Sequence, residues 1–164
     1  MPIVCDTSPL SYLVLIGEVS LLPELYGTVL IPRAVERELA HPDGPLKTRQ
    51  WIAESPSWLD VVSAEEPREE PNSVSPDLLQ VLDPGERAAI RLAAIADVRL
   101  FVIDERDGRR VAKRLDLPVT GTIGVLDVAA AADLIDVPDM VARLRKTSFR
   151  ALPDLYRWLL KRHR

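Results

Sequence analysis

Residues 3–13 read IVCDTSPLSYL, and the fold turns on how the aspartate in that stretch is understood. Ile3, Val4 and Cys5 make a short apolar run of the kind found in a strand buried on both faces, and Asp6 ends it. Ser8 stands where a helix N-cap belongs, with Pro9 at the first helical position, and apolar residues at helical spacing beyond it make two short helices stopped at Gly17 and Gly27. A strand that delivers a carboxylate to its own C-terminal end and passes straight into a helix is the first half of a βα unit.

The unit recurs along the chain. TVLIP (28–32) reads as a second buried strand, and RAVERELAHPDG (33–44) as a helix closed by Pro42 and Gly44. KTRQWIAES (47–55) reads as a helix, WLDVVSA (58–64) as a minor strand, and the charged, proline-rich 64–77 stretch as a loop with no basis for a core. The alternation then restarts with a capped helix at 83–97, a strand at RLFVID (99–104), a helix at 105–116, a strand at LPVTG (117–121) and a helix at 122–135. Two C-terminal helices fill about 138–163. Strands alternating with helices imply a mostly parallel sheet covered on both faces, an α/β fold, with no internal repeat and no second domain.

Composition limits the chemistry. The chain has 164 residues, 47% of them hydrophobic, which suits one domain with a full core. No apolar run approaches the roughly 20 residues that a membrane helix needs. The single cysteine, with no metal-type cluster and no visible leader, fits a cytoplasmic protein. A net charge of −4 argues against a broadly basic surface, although the tail from Arg143 onward is rich in cations.

Asp6 and Asp104 both end apolar runs, and ligands of open parallel sheets bind beyond the carboxyl ends of the strands. If the two strands are neighbours, their carboxylates meet at one edge; the competing reading is that each caps the helix that follows. Glu38, beside the apolar face marked by Val35 and Leu39, and Glu86, at the start of the helix carrying Ile90 and Ala93, can lie at the edge of a buried face. Solvated glutamates are the alternative. Four gathered carboxylates repel, by about 4 kcal/mol per pair at 4 Å and an effective dielectric of 20. A divalent cation with oxygen ligands offsets that repulsion, and such a metal can also activate water at a phosphodiester.

The series VCDTSPL, IPRAVERELA, LDPGERAAIRLA, LFVIDERDGRRVAKRLDLPVTGTIGVL and TSFRALPDLY resembles the PIN-domain family, in its VapC-like toxin branch, over nearly the whole chain. The resemblance implies a three-layer α/β/α sandwich and an Mg²⁺- or Mn²⁺-dependent endoribonuclease, the toxin of a toxin–antitoxin pair. It implies Asp6, Glu38, Glu86 and Asp104 as the metal-holding and catalytic acids, an RNA substrate, a cognate antitoxin and a homodimer. Glu86 departs from the family's usual aspartate, and Glu105 or Asp107 can compete with Asp104 for its role. Ser8, Asp107 and Thr122 are secondary candidates, and Arg109 is placed to hold RNA phosphate. A non-catalytic PIN-like module that binds RNA or protein is the alternative. An aspartyl-phosphate enzyme is weaker, because Ser8 stands where such sites have a second acid. Cys5, His41 and the three tryptophans read as structural.

Overall fold

The computed structural model describes residues 1–63, 76–151 and 153–164. Most of the 64–77 stretch read as a loop therefore lies outside the described residues; its last two positions, Pro76 and Asp77, open a short helix instead.

In chain order the elements are β1 (Ile3–Cys5), α1 (Thr7–Leu15), α2 (Leu21–Tyr26), β2 (Val29–Pro32), α3 (Arg33–Leu39), α4 (Leu46–Glu54) and β3 (Leu59–Val62). After these come α5 (Pro76–Gln80), α6 (Pro84–Ile95), β4 (Leu100–Val102), α7 (Arg106–Arg114) and β5 (Val119–Thr120). The chain closes with α8 (Thr122–Ala131), α9 (Val137–Arg145) and α10 (Pro153–Arg162). The sequence reading missed only α5 among these.

All strand pairings are parallel, and the sheet order is β3-β2-β1-β4-β5. Ile3, Val4 and Cys5 are fully buried, so helices cover both faces of the central strand, as an α/β sandwich requires. Successive strands step from β1 to β2 to β3 in one direction, and β4 and β5 fill the other side. The direction reverses between β1 and β4, which is where a crevice opens at the carboxyl ends of such a sheet. Ile3 pairs with Leu100 and Cys5 with Val102, so the two aspartate-bearing strands are immediate neighbours in register.

The first helix starts two residues earlier than the sequence suggests. Asp6, not Ser8, occupies the N-cap position, and Pro9 lies in the first turn, where an amide is not needed. α6 follows expectation closely. Asp83 caps it, Pro84 opens it, and it buries Ala89, Ile90 and Ala93 against the sheet. Among the described residues no helix is long and apolar enough to cross a membrane.

Candidate active site

The end of β1 places Asp6 at the centre of the crevice. Its amide donates to the Val102 carbonyl at 2.9 Å, extending the β1–β4 ladder by one step. Although it sits at a helix N-cap, its side chain makes no capping hydrogen bond. The carboxylate is only 4% exposed, and Oδ1 has no hydrogen-bond partner. A buried carboxylate oxygen left unpaired costs more than a capping bond would return, so helix capping does not account for the residue. Burial pushes the Asp6 carboxyl up to about 7, against the Thr7 backbone amide, and the charges of Glu86, Asp83 and Glu38 add to the rise.

Glu38 reaches this edge from α3. Thr7 Oγ1 donates to Glu38 Oε2 at 2.5 Å, so Thr7 orients an acid instead of capping its helix. The Glu38 carboxylate lies directly over Gly85 in the first turn of α6, where a Cβ would collide with it. The glycine in DPGE is thus the space that Glu38 occupies.

Glu86 comes from the same turn. Its Oε2 accepts from the Asp83 amide at 3.1 Å while Asp83 Oδ1 accepts from the Glu86 amide at 2.8 Å, a reciprocal capping box. Burial again dominates in lifting the Glu86 carboxyl to about 7, the Asp83 amide opposes it, and the charges of Asp83 and Glu105 add to the rise. Asp83 is therefore part of the acid edge, and the sequence reading passed over it. The spacing D-x-x-E before an apolar helix was the available signal.

Asp104 follows β4 by way of Ile103, whose amide donates to the Thr120 carbonyl. It does not cap α7. Glu105 does that, accepting from the Gly108 amide at 2.7 Å, and Asp107 sits half-buried in the first turn of the same helix. Asp104 instead accepts from the Thr122 amide at 2.7 Å and from Thr122 Oγ1 at 2.6 Å, at the start of α8. Burial raises its carboxyl, and the two Thr122 bonds and the Arg109 charge pull the other way. Thr122 is thus the partner of Asp104, and Gly121 holds the N-cap position. A Cβ on Gly121 would lie 2.6 Å from Asp104 Oδ1 and 3.4 Å from Arg109 Nη1, so the glycine lets both side chains approach.

The charges of Glu86, Asp83 and Glu38 act on Asp6, while Asp104 stands at the adjacent strand end, bonded to Thr122 and beside Arg109. Among the described residues no three His, Cys, Asp or Glu side chains are drawn together tightly enough to cage an ion. The chemistry of the donors nevertheless fits a hard divalent cation. They are carboxylate and hydroxyl oxygens, and Asp6 Oδ1 is a buried acceptor with nothing bound to it.

Two open depressions flank the acids. On the Glu38 side, one of about 210 Å³ is lined mainly by hydroxyl groups, including Thr7, the exposed Ser8 and Ser11. On the Asp104 side, a larger groove of about 790 Å³ contains Arg109. Cys5 is fully buried, and burial, with the charges of Asp6 and Asp104, pushes its thiol well up, which makes it unreactive. His41 is exposed and accepts from the Asp43 amide at 3.1 Å. Trp51 and Trp58 pack on each other at 5.7 Å.

A family model described as a PIN domain matches residues 2–164 of the chain. Comparison with curated proteins and with solved structures gave no match.

Proposed function

The chain belongs to the PIN-domain family, whose members are generally nucleases, and on that premise we propose that it is a metal-dependent endoribonuclease, the toxin of a toxin–antitoxin pair. The observation that carries this reading is Asp6: a buried acid with an unpaired oxygen, set at the switch point of the sheet among three other acids. A fold keeps such a group only where something else compensates it.

Asp6, Glu38, Glu86 and Asp104 would hold Mg²⁺ or Mn²⁺. Bound there, the metal supplies water activation and stabilisation of the leaving oxygen of a phosphodiester. The residues of the chain do the rest. Thr7 fixes Glu38, Thr122 fixes Asp104, and the capping box fixes Glu86, so these three carboxylates are oriented before substrate arrives. Arg109 brings a positive charge beside Asp104, suited to a phosphate of the RNA strand. An antitoxin that covers the acid edge, and a second copy of the chain as homodimer partner, complete the proposal.

A second reading, a PIN-like module that binds RNA or protein without cutting, is favoured by one observation. Glu38 and Glu86 are both engaged in internal hydrogen bonds. Calorimetry with Mn²⁺ separates the two, run on the parent, Asp6→Asn and Asp104→Asn alongside an RNA-cleavage assay. Saturable binding in the parent that is lost in both variants, with cleavage lost too, is the expected result. RNA binding without metal uptake or cleavage in the parent establishes the second reading instead.

A further inference from the structure

We propose that the depression on the Glu38 side is a pocket for one unstacked nucleobase, and that it prefers a base bearing an exocyclic amine, such as cytosine, over uracil. The inference rests on the nuclease reading above and gives that site a base preference beside its acids.

At about 210 Å³ the depression is smaller than the roughly 300–1,000 Å³ of pockets for drug-sized ligands, so it suits one ring system and not a length of chain. Thr7, Ser8, Ser11, Tyr12, Thr48 and Ser148 line it with six hydroxyls. The helix period supplies four of them. Thr7 and Ser11 lie four residues apart on α1, as do Ser8 and Tyr12, while Pro9, Leu10, Leu13 and Val14 are buried. Three of the four are met by different parts of the chain. Glu38 of α3 accepts from Thr7, Thr48 Oγ1 of α4 lies 3.0 Å from Ser11 Oγ, and Ser148 Oγ, beyond α9, lies 3.3 Å from the Tyr12 hydroxyl. Thr48 is only 1% exposed, and α4 buries it together with Ile52. Packing alone does not call for a hydroxyl there, since apolar groups of the same shape in place of both Ser11 and Thr48 would be nearly neutral for stability.

The lining disfavours phosphate and suits a neutral ring. Among the described residues no Lys, Arg or His lines it, and Glu38 makes its field negative. The exposed Lys47 donates to the Leu15 carbonyl at 3.5 Å. Leu15, Leu39 and Pro45 add apolar surface, which the faces of a ring need, and the hydroxyls can either donate or accept, which its edge needs. Those are the two requirements of a base taken out of its stack. A ribose has hydroxyls to match but no flat apolar face. The negative field decides among bases: an edge that presents an amine is drawn to it, whereas uracil presents a carbonyl at the same place.

The test is nucleoside binding in EDTA, read from backbone amide shifts in NMR spectra titrated with cytidine, uridine and deoxycytidine. Proteins compared are the parent, Ser11→Ala/Thr48→Val and Ser8→Trp. The double variant removes both partners of one bond and leaves no orphan, and Ser8 is exposed, so Ser8→Trp adds bulk to the lining without entering the core. Cytidine should shift the amides of Ser8, Ser11 and Thr48 saturably, and uridine should bind at least about fivefold more weakly. Deoxycytidine should stay within about threefold of cytidine, and both variants should weaken cytidine at least about fivefold. If the double variant does not fold, Ser8→Trp decides. Shifts confined to other parts of the chain overturn the proposal, as does equal binding of uridine or undiminished binding by Ser8→Trp. A loss of about tenfold or more with deoxycytidine overturns it too, in favour of a ribose pocket. Cleavage with Mn²⁺ is scored separately, on RNAs that differ in a single cytosine or uracil. Cytidine binding in the pocket without cleavage keeps the base pocket and removes the nuclease, and cleavage without nucleoside binding does the reverse.

Discussion

The two central strands end side by side, yet they give their buried aspartates different partners. At the end of β1, Asp6 has a buried oxygen with no donor and three acids acting on it. At the end of β4, Asp104 receives both the amide and the hydroxyl of Thr122 and feels the charge of Arg109. Burial lifts both carboxyls, but only at Asp104 do side-chain and backbone donors from another helix oppose the lift. An apolar run followed by aspartate therefore fixes where the carboxylate stands. The elements arriving later in the chain fix which donors it meets.

That contrast can be broken most directly at Asp6. Asp6→Asn should reduce RNA cleavage by at least about 100-fold in a metal-supplemented assay, since altering even an outer partner of a metal ligand costs about 10–100-fold. Asp104→Asn should lose comparable activity, but with the opposite effect on stability, because it discards a satisfied acceptor.

The stability of the β1 end supplies the next test. The folded-state pKa of Asp6 is about 7, above the roughly 3.9 of an unfolded aspartate, so the native state binds its proton more tightly. Its favourable contribution is complete below about pH 4 and is lost as pH rises through about 7, for about 2–4 kcal/mol in all. Asp6→Asn should flatten that fall and melt higher than the parent at pH 8, by roughly 5–10 °C. Thermal melts from pH 4 to 8 measure it; a parent whose stability does not decline across that window contradicts the account of Asp6. Added Mn²⁺ should recover part of the loss in the parent and none in the variant.

Smaller effects sharpen the picture at the two glycines. Gly121→Ala places a Cβ 2.6 Å from Asp104 Oδ1, so it should shift the carboxylate off Thr122 and lower cleavage about tenfold or more. Its φ of −126° is open to any residue, so the loss would come from contact and not from backbone strain. Gly85→Ala meets only the end of the flexible Glu38 side chain, inside a helix that favours alanine. It should leave the melting temperature within about 2 °C of the parent while cutting cleavage several-fold. Kinetics and melts on the same preparation separate these two outcomes.

Much of the architecture was legible. IVCD, TVLIP and RLFVID each became a parallel strand, because a strand buried on both faces is typically short, apolar and β-branched, and LPVTG became the half-buried edge strand β5. The adjacency of Asp6 and Asp104 was foreseen only conditionally, since pairing order belongs to the whole sheet. DPGE was read as a cap plus a lone candidate glutamate, and the mutual hold of Asp83 and Glu86 was missed. Thr122, a secondary site candidate in the sequence, proved to be the partner of Asp104, and Thr7 the partner of Glu38. A hydroxyl's nearest donor or acceptor in space need not be its nearest in sequence.

The sequence by itself determined the alternation of strand and helix, the aspartates at the strand ends and the cationic face of α7, because these depend on periods of two and 3.6 residues and on local capping. Only the tertiary structure decided which carboxylate oxygen is paired and which is left bare, and that the α7 cations line one groove with Asp104. Those outcomes depend on contacts such as Thr7 with Glu38, Thr122 with Asp104 and Tyr12 with Phe149, which join residues 18 to 137 positions apart. No local pattern encodes such contacts, since each exists only once the helices have packed on both faces of the sheet.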